Sequence, residues 1–245
     1  MELDLLVFGP HPDDAEIGLG GTIARQASEG YAVGICDLTR GELGSNGTVD
    51  ERLAEAEAAR HVLGAVMREN LDWPDGGIGR AADHERHAVE AIRRWRPRTI
   101  AIPYWQDRHP DHLAAATVLA AAAFRSGLRR YAAAGEPWRA DWVCYYFIND
   151  SAPPSFVVDV SASYETKRAA LDCHQSQFNA DRTGAVATRL TSARFRQLIE
   201  SRDAQLGALS GVAFAEGVIV KEPLTRPHVM KDWQALPRST PGATR

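Results

Sequence analysis

Pro10-His11-Pro12-Asp13-Asp14 sets two metal-type ligands and a spare carboxylate on one turn, and Arg108-His109-Pro110-Asp111-His112 is a second string of the same kind. Each follows a short apolar run. His11 and Asp14 stand three residues apart across a turn fixed by Pro12, so both side chains can reach one cation, and His112 supplies a third ligand from the second string. Two imidazoles and a carboxylate make a catalytic zinc set that leaves a fourth position for water, whose pKa then falls to about 7. Asp13 stays off the metal in this reading. A carboxylate beside such a water takes its proton as attack begins and returns it to a leaving amine. His109, with Asp111 as its orienting carboxylate, suits a cation that stabilises a tetrahedral oxyanion. The chemistry outlined is hydrolysis.

Each string alone has a plainer explanation. His-x-x-Asp is commonly a turn with an Asx cap, and Asp111 can serve simply as the cap of the helix that follows it. What favours a metal site is that both strings fall at the ends of strand-like runs.

The elements that must position them follow from the pattern of apolar residues. Leu3 to Gly9 reads as a strand, about 16–29 as a helix stopped near Gly30, and Tyr31 to Leu38 as a second strand. A helix is predicted from Val49 to Leu63, with Asp50 as cap and Gly64 as stop. Glu69 to Trp73, His84 to Trp95 and Thr99 to Ile102 continue the alternation as strand, helix and strand, and His112 to Phe124 adds an Ala-rich helix. Repeated strand-helix alternation predicts an α/β fold, a Rossmann-like, mostly parallel sheet with helices on both faces. Ligands bind such sheets at the carboxyl ends of the strands. Both strings sit there.

The C-terminal half changes texture. Val143 to Ile148 and Phe156 to Val160 read as added strands, and helices are predicted around Tyr164 to Ser176 and Arg194 to Leu209. The polar segment between them, Asn179 to Arg189, is a candidate mobile loop. With 245 residues, one domain over 1–226 is expected, followed by a tail at 227–245 that is loose or partner-dependent.

Composition narrows the function classes. The 28 basic and 32 acidic residues are mixed along the chain and form no basic stripe for nucleic acid. Cys36, Cys144 and Cys173 lie far apart, without a Cys-x-x-Cys pair, which argues against a disulfide framework and against a thiolate metal site. No signal-peptide pattern opens the chain, and no apolar run approaches the roughly 20 residues that span a bilayer. A cytoplasmic protein without a membrane partner is expected. Gly18-Leu19-Gly20-Gly21 lacks the spacing of a dinucleotide fingerprint and is better explained by close helix packing.

Phe8-Gly9-Pro10-His11-Pro12-Asp13-Asp14-Ala15-Glu16-Ile17-Gly18 and Asp107-Arg108-His109-Pro110-Asp111-His112 resemble the two signature motifs of the zinc-dependent LmbE-like, or PIG-L, deacetylases. The likeness extends to Asp37 through Glu42, Ser45 through Thr48, Ser176-Gln177-Phe178 and Ala215-Glu216-Gly217, and is strongest to the bacillithiol biosynthesis branch. The resemblance implies removal of the N-acetyl group from an N-acetylglucosaminyl conjugate, here N-acetylglucosaminyl malate. It also implies one zinc per subunit on His11, Asp14 and His112, with Asp13 as general base, His109 beside the oxyanion, and a homo-oligomer, for which family likeness suggests a hexamer. A His/Asp/His set also accepts iron, cobalt or manganese. Malate carries two carboxylates, which arginine grips through paired hydrogen bonds. Arg52, Arg108 and Arg139 are the substrate-binding candidates, with Arg194 a weaker one.

Two other readings remain open at this point. One keeps the chemistry and changes the substrate, to a mycothiol-type or diacetylchitobiose-type deacetylase or an amidase for thiol conjugates. The other is a non-catalytic sugar-binding or metal-binding module, against which the intact Asp13, His109 and Asp111 speak.

Overall fold

Leu-Leu-Val-Phe-Gly, the first strand β1 (Leu5–Gly9), is buried along its whole length, as is β2 (Val33–Thr39). Strands covered on both faces carry this kind of sequence. The computed structural model describes residues 2–225; the tail at 227–245 lies outside the described residues. Five more strands complete one sheet: β3 (Met67–Trp73), β4 (Thr99–Pro103), β5 (Trp142–Tyr146), β6 (Phe156–Asp159) and β7 (Ala215–Ile219), in the order β3-β2-β1-β4-β5-β7-β6. β1 to β5 are parallel neighbours, and β7 runs antiparallel between β5 and β6. The expected mostly parallel α/β sheet is what forms.

Alternation along β1 divides the core. Leu5 and Val7 face one apolar cluster, built with α1 (Asp14–Ser28), α2 (Val49–Leu63), α5 (Tyr164–Cys173) and α7 (Ala193–Ser210). Leu6 and Phe8 face the other, under α3 (His84–Trp95) and α4 (Pro110–Arg125). Ile17, Leu19 and Ile23 of α1 are at most 2% exposed. Each such side chain contributes about 1.5–3 kcal/mol by leaving water. The glycines of α1 permit that approach: a methyl at Gly18 would stand 2.2 Å from the Tyr146 ring, and one at Gly21 would stand 2.7 Å from Val160. Close packing, as expected, explains this run.

Three local expectations change. The cap of α2 is Thr48, one residue outside the helix, whose side chain accepts from the Glu51 N–H while Glu51 bonds back to the Thr48 N–H. Asp50 lies already inside the first turn. The helix expected from Tyr164 to Ser176 breaks at His174, which leaves helical geometry (φ −81°, ψ 58°) and starts the short α6 (Gln175–Phe178). β7 was not anticipated as a strand, because five residues with an internal Glu-Gly give no alternation to detect.

The chain winds outward through β1, β2 and β3, then crosses back to place β4 on the other side of β1. Loops leaving β1 and β4 therefore diverge, and a crevice opens between them at the carboxyl ends of the strands. The two His/Asp strings are those loops.

Candidate active site

The β1 turn and the start of α1 carry His11, Asp13 and Asp14; the loop after β4 and the start of α4 carry Asp107 to His112. The Asp14 Oδ2 atom lies 3.0 Å from His11 Nδ1 and 3.3 Å from His112 Nε2. The far nitrogens also meet carboxylates: His11 Nε2 is 3.1 Å from Asp75 and 3.4 Å from Asp111, and His112 Nδ1 is 3.2 Å from Asp107. An imidazole whose outer nitrogen meets a carboxylate is oriented and made more basic at the inner one, the usual support of a ligating histidine. Donor atoms of His11, His109 and His112 lie within 4.8 Å of one another, as do those of His11, Asp75 and Asp111. Nδ1 of His109 is engaged in capping α4, and Asp75 and Asp111 lie on the outer side of His11. His11 and His112 also meet at the Asp14 carboxylate, two nitrogens and one oxygen, a donor set that zinc accepts.

Electrostatics separates the adjacent aspartates. Burial would raise the Asp14 carboxyl, but the His112 charge and the bonds from both histidines outweigh it and hold Asp14 well below the usual carboxylate range. Burial dominates at Asp13 instead and lifts its carboxyl, while the Arg52 charge works against the lift and Asp14 adds to it. His112 is raised to about 9, since Asp14 and Asp107 overcome the effect of burial. His109 is lowered by burial and by the charges on His11 and His112.

The hydrogen bonds around His109 depart from one expectation. His109 accepts the Asp111 backbone N–H at Nδ1, 3.2 Å, so its ring is neutral with the hydrogen on Nε2. The carboxylate of Asp111 does not orient His109; it accepts from the Gly76 N–H at 2.8 Å and faces His11. In this geometry His109 presents Nε2 to the crevice.

The arginines divide. Arg108 is exposed at the rim of the crevice, a cavity of about 420 Å³ that also meets Arg189. Arg52 lines the same cavity but is buried, donating to the Gly41 carbonyl at 2.7 Å and to Asp13 at 3.4 Å. Arg139 is not at the site: it is exposed, packs against Gly127 and lies 5.9 Å from the Phe124 ring, at the far end of α4. Arg194 donates its backbone N–H to the capping Ser192 hydroxyl and does not line the cavity. Trp105 walls an adjoining cleft rather than this one. The segment between α6 and α7 supplies Arg189 and Leu190, and is anchored by two hydrogen bonds, 2.8 and 2.7 Å, between the Asn46 amide and the Val186 backbone. A second cavity, about 540 Å³ around Asp4, Arg98 and Asp141, opens at the opposite ends of the strands, where Arg98 pairs with both acids.

Sequence reasoning missed the supporting residues Asp75 and Asn149, and it gave Asp107, part of the second motif, no role. Asn149 donates to both oxygens of Asp107, from its backbone at 3.1 Å and its amide at 3.0 Å. It also missed Arg68, buried between Asp37 and Glu16 beneath the β1 turn. Charged residues within β3 were the available signal for Arg68; a lone Asp in a loop, as at position 75, gives none.

A mostly parallel α/β sheet with a His/Asp cluster at its switch point defines a hydrolase-type site. The chain belongs to the PIG-L family, described as GlcNAc-PI de-N-acetylase, which matches residues 6–123. It is an N-deacetylating hydrolase by that membership. It is 31% identical over 192 residues to a diacetylchitobiose deacetylase of Thermococcus kodakarensis, covering 72% of this chain and 71% of that one. It is 30% identical over 275 aligned positions to the 1D-myo-inositol 2-acetamido-2-deoxy-alpha-D-glucopyranoside deacetylase of Tsukamurella paurometabola, covering 90% and 89%. Among solved structures, the conserved protein TT1542 of Thermus thermophilus superposes with a TM-score of 0.84 at 39% identity, covering 91% of this chain and 97% of that one.

Proposed function

We propose that the protein hydrolyses the N-acetyl group of an N-acetylglucosaminyl conjugate, releasing acetate and a free amine. The observation that carries the reading is the convergence of His11, Asp14 and His112 on one point with Asp13 beside them. These three would hold zinc, which when bound polarises a carbonyl and acidifies water. Asp13 takes the proton of the attacking water as the oxygen–carbon bond forms, and delivers it to the nitrogen as the carbon–nitrogen bond breaks. Its lifted pKa suits both halves of that transfer. His109 Nε2–H donates to the acetyl oxygen as negative charge gathers there.

For the aglycone, malate remains our reading, as in bacillithiol biosynthesis, and it is supported by Arg108 and Arg189 at the cavity. Among the described residues neither is paired with a carboxylate, and both are exposed at the open end. Acetate release by zinc-loaded enzyme, measured over N-acetylglucosaminides differing only in aglycone, tests the proposal. A preference for the malyl glycoside over methyl, chitobiosyl and inositol glycosides is expected; equal rates remove the malate assignment, and no acetate from any of them removes the activity. Asp13→Ala is expected to keep zinc and lose most turnover, whereas His11→Ala loses the metal.

A further inference from the structure

The chain between α6 and α7, residues 179–192, runs beside the crevice and brings Arg189 and Leu190 to its wall. Local bonds shape the end of that segment. The Thr188 N–H donates to Thr191 Oγ1 at 2.8 Å and the Thr191 N–H donates to Thr188 Oγ1 at 3.2 Å, so Arg189 and Leu190 form the tip of a closed turn. The Arg189 guanidinium lies 5.3 Å from the ring of Phe195, which lines the same cavity. Such a turn fixes its own shape but not its place on the molecule. Its place is set two residues before it, at Val186, by Asn46 of the loop between β2 and α2. Asn46 Nδ2 donates to the Val186 carbonyl at 2.8 Å, and the Val186 N–H donates to Asn46 Oδ1 at 2.7 Å. Asn46 is buried and does not itself line the cavity. Its carbonyl accepts from the Gln177 amide at 2.7 Å, which ties the Asn46 backbone to α6. From Asp181 to Thr188, the other side-chain tie to the body among the described residues is the half-exposed pair of Arg182 with Glu51, and pairs of that kind contribute little.

We infer that Asn46 is a positioning residue for substrate specificity, a latch that sets where Arg189 stands at the open end of the crevice. The inference rests on the reading above, in which Arg189 meets an anionic aglycone, but the latch itself is a matter of geometry. A primary amide carries a donor and an acceptor side by side, so it pairs with both backbone groups of one residue, as a neighbouring strand does. Alanine offers neither bond. Aspartate keeps the acceptor but turns a second oxygen toward the Val186 carbonyl, where nothing can be shared. An arginine held near its bound position loses less freedom when a carboxylate arrives, which lowers the cost of binding. The latch therefore acts on substrates long enough to reach Arg189 and leaves the chemistry at Asp13 alone. Its loss belongs in KM for carboxylate-bearing aglycones.

Asn46→Ala (N46A) and Asn46→Asp (N46D) test the latch, each alone and in an Arg189→Ala (R189A) background. Both are expected to raise KM for a malyl N-acetylglucosaminide roughly tenfold, the loss of one charge-assisted contact, with kcat within about twofold. KM for the methyl glycoside is expected to stay within about twofold. R189A is expected to show the same pattern, and adding N46A to it to change KM by less than about twofold, because the latch works only through the arginine. Additive losses, a loss shared equally by the methyl glycoside, or a loss expressed in kcat overturns the latch. Should wild-type enzyme release no acetate, or show no preference for the malyl glycoside, the reading of function falls separately. Amide hydrogen exchange over residues 185–190 then decides the latch: faster exchange in N46A than in wild type supports it, and equal exchange overturns it.

Discussion

At the scale of single residues, the histidines of the candidate site are held by carboxylates on their outer nitrogens. Asp75 is half-buried and accepts on both oxygens, from His11 on one and from the Leu43 N–H on the other. Its carboxyl is lowered to about 2: burial opposes ionisation, and the His11 bond and charge overcome it. Asp75→Asn removes the anion that orients His11 and keeps the shape. Outer carboxylates of this kind typically account for 10–100-fold in metal affinity. We expect the D75N variant to lose zinc to a competing chelator at a concentration roughly tenfold lower than wild type, with turnover largely restored in excess zinc. Unchanged retention would mean that Asp111, 3.4 Å from the same nitrogen, is sufficient alone.

At the scale of elements, α1 brings its first turn to the site by packing without a gap on β5. Gly18→Ala forces a methyl to within 2.2 Å of the Tyr146 ring, whose hydroxyl donates to the Phe8 carbonyl at 2.8 Å. The ring cannot swing away without giving up that bond. Overpacking of a closed core costs about 1–3 kcal/mol. Because α1 also carries Asp14, the G18A variant is expected to lower both the urea midpoint and zinc retention, whereas a midpoint shift with normal retention would show that the first turn moves independently of the rest of α1. Such contacts also explain what was legible in the sequence. Helix bounds such as Val49–Leu63 and His84–Trp95 came through intact because each ends on its own signal, Gly64 in the first case and the positive-φ Arg96 before Pro97 in the second. The metal-type residues were legible because two local strings of unusual composition fell at strand ends. Asp75 and Arg68 were not, because their partners lie 30 or more residues away or are read only once β2 pairs with β3. Arg139 misled for the same reason: a sequence position beside a strand says nothing about which end of α4 it will meet.

At the scale of the whole molecule, the half of the sheet that holds the site is locked to the added C-terminal elements by one buried charge cluster. Lys167 of α5 is fully buried and donates to Asp203 of α7 at 2.7 Å and to Glu216 of β7 at 2.6 Å. Glu216 in turn accepts the Gly21 and Thr22 N–H groups of α1, at 2.9 and 2.7 Å, so α1, α5, α7 and β7 meet at one ammonium. Burial works to raise the Asp203 carboxyl, and the Lys167 and Arg202 charges overcome it, leaving Asp203 below its ordinary 3.8. A carboxyl whose folded pKa is depressed stabilises the fold above its unfolded pKa, and that contribution disappears as pH falls through the folded value. Asp203→Asn should therefore destabilise at neutral pH, by about 3 kcal/mol for a buried pair broken on one side. The deficit should begin to shrink below about pH 4, where the carboxylate of the unfolded wild-type chain takes up a proton, and should vanish only below the depressed folded value. Melting temperatures of wild type and the D203N variant, followed from pH 7 to pH 3, are expected to converge; curves that stay parallel would mean that the packing of Asp203, and not its charge, holds the two halves together.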